Sequence, residues 1–118
     1  MVDTGRKPIL KPIEFLVDSL DELRSFPDSA RRDAGFQLDR VQRGEEPQDW
    51  KPMPSIGTGV QEIRVRDEGD QYRVIYVAKL ADAIFVLHCF PKKTMKTSKY
   101  DVELAARRYR KLLLELKT

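Results

Sequence analysis

Two arginines, Arg64 and Arg73, and a run of lysines, Lys92, Lys93, Lys96 and Lys99, are the side chains whose spacing carries chemistry in this sequence. The arginines flank Glu68-Gly69, a dipeptide set between aspartates and between two runs rich in β-branched and aromatic residues. A hairpin that turns there pairs Arg66 with Gln71, Val65 with Tyr72 and Arg64 with Arg73. Like charges directly opposite each other on a ladder repel. Glu62, two residues back on the same face, is the nearby acid, which leaves two readings open: a solvated pair tempered by Glu62, or a site whose missing partner is an anion. On the second reading, removing either arginine relieves repulsion and leaves the fold as stable or slightly more so, by a few tenths to ~1 kcal/mol.

The lysines fall in the eight residues from Lys92 to Lys99, which contain no acid. Alone, such a run reads as a solvated loop. Its place directly after an apolar strand puts it at a sheet end near the hairpin arginines. The single histidine, His88, lies within that strand and reads as a partly buried, hydrogen-bonded residue ahead of a general base. The single cysteine, Cys89, reads as core filler and has no disulfide partner, and one histidine with one cysteine leaves no soft-ligand cluster for a metal.

These residues need elements to hold them. The 118 residues suit one domain, 1–118, with 41% hydrophobic and 35% charged residues and no apolar run near the length of a membrane span. The N-terminus lacks the apolar core of a signal peptide, so a cytoplasmic protein is expected. Charge is uneven: residues 1–50 carry 8 basic against 11 acidic residues, and residues 51–118 carry 14 against 8. The basic half is the strand and loop half, and a polyanion is its natural partner.

In chain order, a loose start over Met1 to Lys11 precedes a short edge strand near Pro12 to Leu16. Asp18 opens a short helix that stops at Phe26-Pro27, and Asp28 opens a longer one whose Ala30, Ala34, Leu38 and Val41 recur at helical spacing before Gly44. Glu45 to Thr58 reads as a proline-rich connection with Trp50 as a plug over the core edge. The hairpin follows, then Ile84 to Phe90, apolar on both faces as an interior strand is, with Phe85, Leu87 and Cys89 on one face and Ile84, Val86, His88 and Phe90 on the other. Ser98-Lys-Tyr-Asp101 resembles a capping box and starts a last helix. Its stripe is Val102, Ala105, Ala106, Tyr109, Leu112, Leu113 and Leu116, with Arg107, Arg108, Arg110 and Lys111 on its other sides.

Three stretches, Gly57-Thr-Gly-Val-Gln-Glu-Ile-Arg64, Tyr72-Arg-Val-Ile-Tyr76 and Leu87-His-Cys-Phe-Pro-Lys-Lys-Thr-Met-Lys-Thr97 leading into Asp101-Val-Glu-Leu-Ala-Ala106, together resemble RelE-type toxins. The likeness is narrowest to the HigB-like, phage-derived branch of the RelE/ParE superfamily. It implies an α+β fold: a small twisted antiparallel sheet, two N-terminal helices packed on it and a C-terminal helix beside the active groove. It further implies the toxin of a type II toxin-antitoxin system, a ribosome-dependent mRNA endoribonuclease neutralised by a cognate antitoxin, often a helix-turn-helix protein. Carried over position by position, the working residues fall on Arg64, Arg73, Lys92 or Lys93, and Tyr100. With Lys93 assigned to the catalytic set, Arg66, Lys92, Lys96 and Lys99 are set on the RNA, and no metal or other cofactor is implied.

The chemistry is consistent with that implication. RNA is cleaved when its own 2′-hydroxyl attacks the adjacent phosphate, which takes a base, an acid for the leaving oxygen and positive charge where negative charge develops. Arg64 and Arg73 would stabilise the phosphorane-like transition state, and a lysine of the loop or Tyr100 would move protons, given cations close enough to lower its pKa. The alternatives are a ParE-like toxin that inhibits gyrase by binding it, and a phage-derived protein of the same fold that only binds an antitoxin-like partner or nucleic acid.

Overall fold

The computed structural model describes residues 10–117, so most of the start read into Met1 to Lys11 lies outside the described residues. Eight elements follow in order: β1 (Ile13–Phe15), α1 (Ser19–Arg24), α2 (Asp28–Gln42), β2 (Trp50–Pro52), β3 (Val60–Asp67), β4 (Asp70–Val77), β5 (Ile84–Lys92) and α3 (Lys99–Leu116). The strands form one five-stranded sheet in the order β1-β5-β4-β3-β2. Three pairings are antiparallel, but β1 runs parallel to β5, so the expected antiparallel sheet carries one parallel edge. Among the described residues no helix is long and apolar enough to cross a membrane.

The β3–β4 hairpin turns as its sequence dictates. Asp67 pairs with Asp70, and the two residues between them, Glu68 and Gly69, both take positive φ, 49° and 84°. That is the type I′ geometry whose twist matches the flanking strands. The register places Arg64 opposite Arg73, as the spacing requires.

The sheet has a core on each face. On one, α2 lays Ala30, Ala34, Leu38 and Val41 against Ile63, Val65, Val74, Tyr76, Ile84 and Val86. This helix ends as Gly44 at φ 83° lets the Gly44 and Glu45 amides donate back to Val41 and Arg40. On the other face, α3 packs Ala105, Tyr109 and Leu112 against Val60, Ile75, Val77, Phe85 and Leu87. Ser98 caps α3 by accepting from the Asp101 amide at 3.1 Å, and its hydroxyl donates to the Asp101 carboxylate at 2.6 Å. Leu116, expected in the buried stripe, is 44% exposed at the end of α3.

Two further expectations fail for identifiable reasons. The connection read between Glu45 and Thr58 contains β2, which pairs with β3 as Trp50 with Ile63, Lys51 with Glu62 and Pro52 with Gln61. Pro52 hides that strand from a pattern reading, and it is tolerated because β2 is an edge. The strict alternation along β5 also breaks. Tyr76 pairs with Val86 and Ile75 with His88, leaving Leu87 as the extra residue of a β-bulge. Before the bulge Val86 faces α2; after it Cys89 takes that face, and His88 and Phe90 turn toward α3. A bulge re-aims side chains in this way.

Candidate active site

On the α3 face, each step toward the hairpin tip adds a polar row. Lys51, Glu62, Ile75 and His88 lie across β2 to β5; Arg64, Arg73 and Phe90 follow, then Arg66, Gln71 and Lys92. The α3 helix covers the apolar end of this face and leaves the polar end to the loop after β5. That loop folds back: Lys92 Nζ donates to the Met95 carbonyl at 2.7 Å, and Thr97 Oγ1 donates to Glu62 Oε2 at 2.7 Å.

Arg73 is the centre of the arrangement, and it is buried, at 4% exposure, with Glu62 beneath it at 0%. Its Nε lies 3.4 Å from Glu62 Oε1. That distance couples the charges, yet the alignment is too poor for a hydrogen bond, and both atoms lack a hydrogen-bond partner among the described residues. The guanidinium donates instead to the Tyr72 carbonyl at 3.1 Å and to Gln71 Oε1 at 2.7 Å. Burial lowers the Arg73 pKa, with Glu62 opposing and Arg64 and Arg66 reinforcing the shift. The solvated version of the arginine pair is therefore corrected: Glu62 tempers the repulsion as a buried counter-ion. Taking Arg73 away would leave that carboxylate unpaired in the core, so the stability gain expected from relieved repulsion becomes a loss.

Around this pair the cations gather. Arg64 is a third exposed and lies 3.7 Å from Asp49. Lys92 is half-buried, and its amine is pushed down by that burial and by Arg73, Lys51 and Arg64, against Glu62. Lys51 belongs to the same field and escaped the sequence reading because β2 did; once β2 is paired, its register with Glu62 gives the residue away. Arg66 is exposed at the tip end of the row.

The other expected residues are placed less centrally. Lys93 is exposed and, with Gln71, Lys92 and Thr94, lines a shallow hollow beside the hairpin turn. Lys96 is exposed on the loop, and Lys99 lies 3.8 Å from Glu103 on the surface of α3. Tyr100, 69% exposed, lines a different groove between α1 and α3 with Val17, Leu104, Arg107 and Lys111. The structure thus brings Arg64, Arg73, Arg66 and Lys92 together with Lys51, and sets Tyr100 apart.

His88 is spoken for. Its Nδ1 lies 2.9 Å from Glu22 Oε1 and its Nε2 2.7 Å from Asp101 Oδ1, in a ring that is 4% exposed and stacks on Phe90. Each ring nitrogen faces an acceptor, which matches the reading of a hydrogen-bonded histidine and leaves no nitrogen for substrate. Arg108, expected on an outer side of α3, is instead buried and reaches Glu22 at 3.1 Å and the Leu87 carbonyl at 2.8 Å. Cys89 is buried, and its thiol is pushed up by burial, as core filler should be.

Residues 21–110 match a family model described as phage-derived protein, Gp49-like. A search of curated proteins returns no match.

Proposed function

The chain belongs to the phage-derived Gp49-like family, a family of RelE-like toxin type, and from that premise we propose that it is a ribosome-dependent endoribonuclease acting on mRNA, the toxin of a two-gene system with an antitoxin partner. One observation carries the reading: Lys51, Arg64, Arg73 and Lys92 converge on one face of the sheet around a single buried acid. Such a field suits a phosphodiester, whose charge grows as the 2′-hydroxyl attacks. Arg64 and Arg73 stabilise the phosphorane-like oxygens. Lys92, paired with Gln71 beside the arginines and with its amine pushed down by burial and by Arg73, Lys51 and Arg64, takes the proton-moving role that the sequence leaves open among the loop lysines and Tyr100.

Nothing in this cluster is a strong base, which fits an enzyme that borrows substrate geometry from the ribosome. Purified protein added to a translating extract should cut the translated message and leave the same RNA intact when it is naked. Arg64→Ala and Lys92→Ala should each reduce cleavage by about 10²-fold or more, in line with the loss of one electrostatic or proton-transfer group. Equal cutting of naked and translated RNA, or full activity in both variants, would overturn the reading.

A further inference from the structure

The contact between Glu62 and Arg73 is a poor one for a pair so deeply buried. Glu62 Oε1 and Arg73 Nε face each other at 3.4 Å, and each lacks a hydrogen bond among the described residues. Unmet capacity on a buried donor and a buried acceptor costs stability, and it calls for a reason beyond packing. The other oxygen of Glu62 holds Thr97, in the middle of the basic loop. One carboxylate therefore touches both the arginine at the centre of the cationic cluster and the loop that roofs it.

We propose that Glu62 is a positioning residue that occupies Arg73 in place of a phosphodiester and ties the basic loop down through Thr97, so that substrate binding exchanges one anion for the other and releases the loop. The inference rests on the cationic cluster being the RNA site. A phosphate brings more acceptor oxygens than Glu62 offers, and it can meet the Arg73 Nε that the carboxylate leaves unmet. As it enters, Glu62 is repelled from Arg73, and with it goes the anchor of Thr97. The lysines of the loop can then close over the RNA. The arrangement keeps Arg73 covered in the resting protein and makes access to it depend on a ligand that outcompetes a carboxylate.

The test is equilibrium binding of a fluorescent 2′-O-methyl oligoribonucleotide, which cannot be cleaved, to the full chain at low salt. Glu62→Gln keeps the shape and an acceptor for Thr97 while removing the competing charge. It should bind about fivefold to tenfold more tightly than wild type, the direction expected when like-charge opposition to a ligand is removed. Thr97→Val, which retains both charges and removes only the tether, should bind about twofold to threefold more tightly on the same grounds. Adding Arg73→Gln to Glu62→Gln should erase the gain, because the competition is for that guanidinium; a gain that persists without Arg73 is a general charge effect and overturns the proposal.

A purely structural Glu62 would leave affinity unchanged or reduced in a folded Glu62→Gln, and that outcome also sinks the idea. Should Glu62→Gln fail to fold, an unaltered affinity in Thr97→Val decides against it alone. Arg64→Ala and Lys92→Ala separate the two levels of inference. If neither weakens binding, the cluster is not the RNA surface and both readings fall. If both weaken it and Glu62→Gln does not tighten it, only the role of Glu62 falls.

Discussion

Two glutamates bear on the sheet at different strands, Glu22 at β5 and Glu62 on β3, and their surroundings differ in kind. Glu22 of α1 meets His88 at 2.9 Å, Arg108 at 3.1 and 3.2 Å and the Cys89 amide at 3.1 Å. Glu62 of β3 has one hydrogen bond, from Thr97, and an arginine aligned too poorly to donate. The Glu22 cluster has an edge to finish. β1 stops at Phe15, so beyond Val86 the outer edge of β5 has no strand beside it. Arg108 donates to the Leu87 carbonyl and Glu22 accepts from the Cys89 amide, so two side chains stand in for the missing strand. The carboxylate that completes a backbone ladder has both oxygens met, although Arg108 Nε beside it, like Arg73 Nε, lacks a hydrogen-bond partner among the described residues; the carboxylate that lies among spare cations has one oxygen left unmet.

The comparison breaks first at Arg108. Arg108→Ala removes a partner of Glu22 and the donor to Leu87 together, and we expect a loss of ~3–5 kcal/mol, as for other half-broken buried pairs. Urea unfolding measures it, and toxicity should fall only with the folded fraction. A loss below about 1 kcal/mol would mean the edge is held by other contacts.

Replacing a whole pair sharpens the difference. Arg73→Met alone strands the Glu62 carboxylate and should cost about 3–5 kcal/mol, whereas Glu62→Met with Arg73→Met should return stability to within about 1 kcal/mol of wild type. Cleavage of translated mRNA should stay absent in the double variant. Recovery of activity along with stability would make Arg73 a structural residue and remove it from the site.

Acid gives the third test, and its sign follows from the direction of the shift. Burial works to raise the Glu22 carboxyl, but hydrogen bonds from His88, Arg108 and the Cys89 amide win and hold it at about 2, below its ordinary 4.5. A depressed carboxyl stabilises the fold fully above its unfolded pKa, and that contribution drains away as pH falls from about 4.5 to about 2. Wild type should therefore lose roughly 3 kcal/mol across this window on account of Glu22, and Glu22→Gln, weaker at neutral pH, should show a correspondingly shallower decline. Parallel declines in the two proteins would contradict the assignment.

What was legible in the sequence was whatever is specified locally. The turn at Glu68-Gly69 fixed the arginine register, the spacing of Ala30, Ala34, Leu38 and Val41 fixed the face of α2, and Ser98 with Asp101 fixed the start of α3. The losses all depend on non-local partners. β2 is three residues long and contains a proline, and only β3 makes it a strand. The bulge at Leu87 has no residue signature of its own, so the face of His88 was misread. Arg108 looks like any other base on a basic helix until α1 supplies Glu22. Of the site, Arg64, Arg73, Arg66 and Lys92 were visible as charges, but the burial of Arg73 and the presence of Lys51 were not.

Lys51 is also where the smallest effect is expected, and that makes it a clean discriminator. It lies on the edge strand β2, is half-buried, and neighbours Glu62 across the ladder and the field around Lys92. A structural lysine there would serve Glu62 as a second counter-ion, and Lys51→Ala would cost stability as breaking a buried pair does. An RNA-facing lysine removes little when truncated, so stability should stay within about 0.5 kcal/mol of wild type. Binding of the uncleavable oligoribonucleotide should weaken severalfold, and the slope of log affinity against log salt should fall by about 0.7, the counterion release of one phosphate contact on a single strand. The slope is the deciding measurement. Affinity can drop through a general shift in potential, whereas a smaller salt dependence requires that one phosphate contact has been lost. A Lys51→Ala protein that is destabilised by more than about 1 kcal/mol with an unchanged slope would move Lys51 out of the RNA surface and into the support of Glu62.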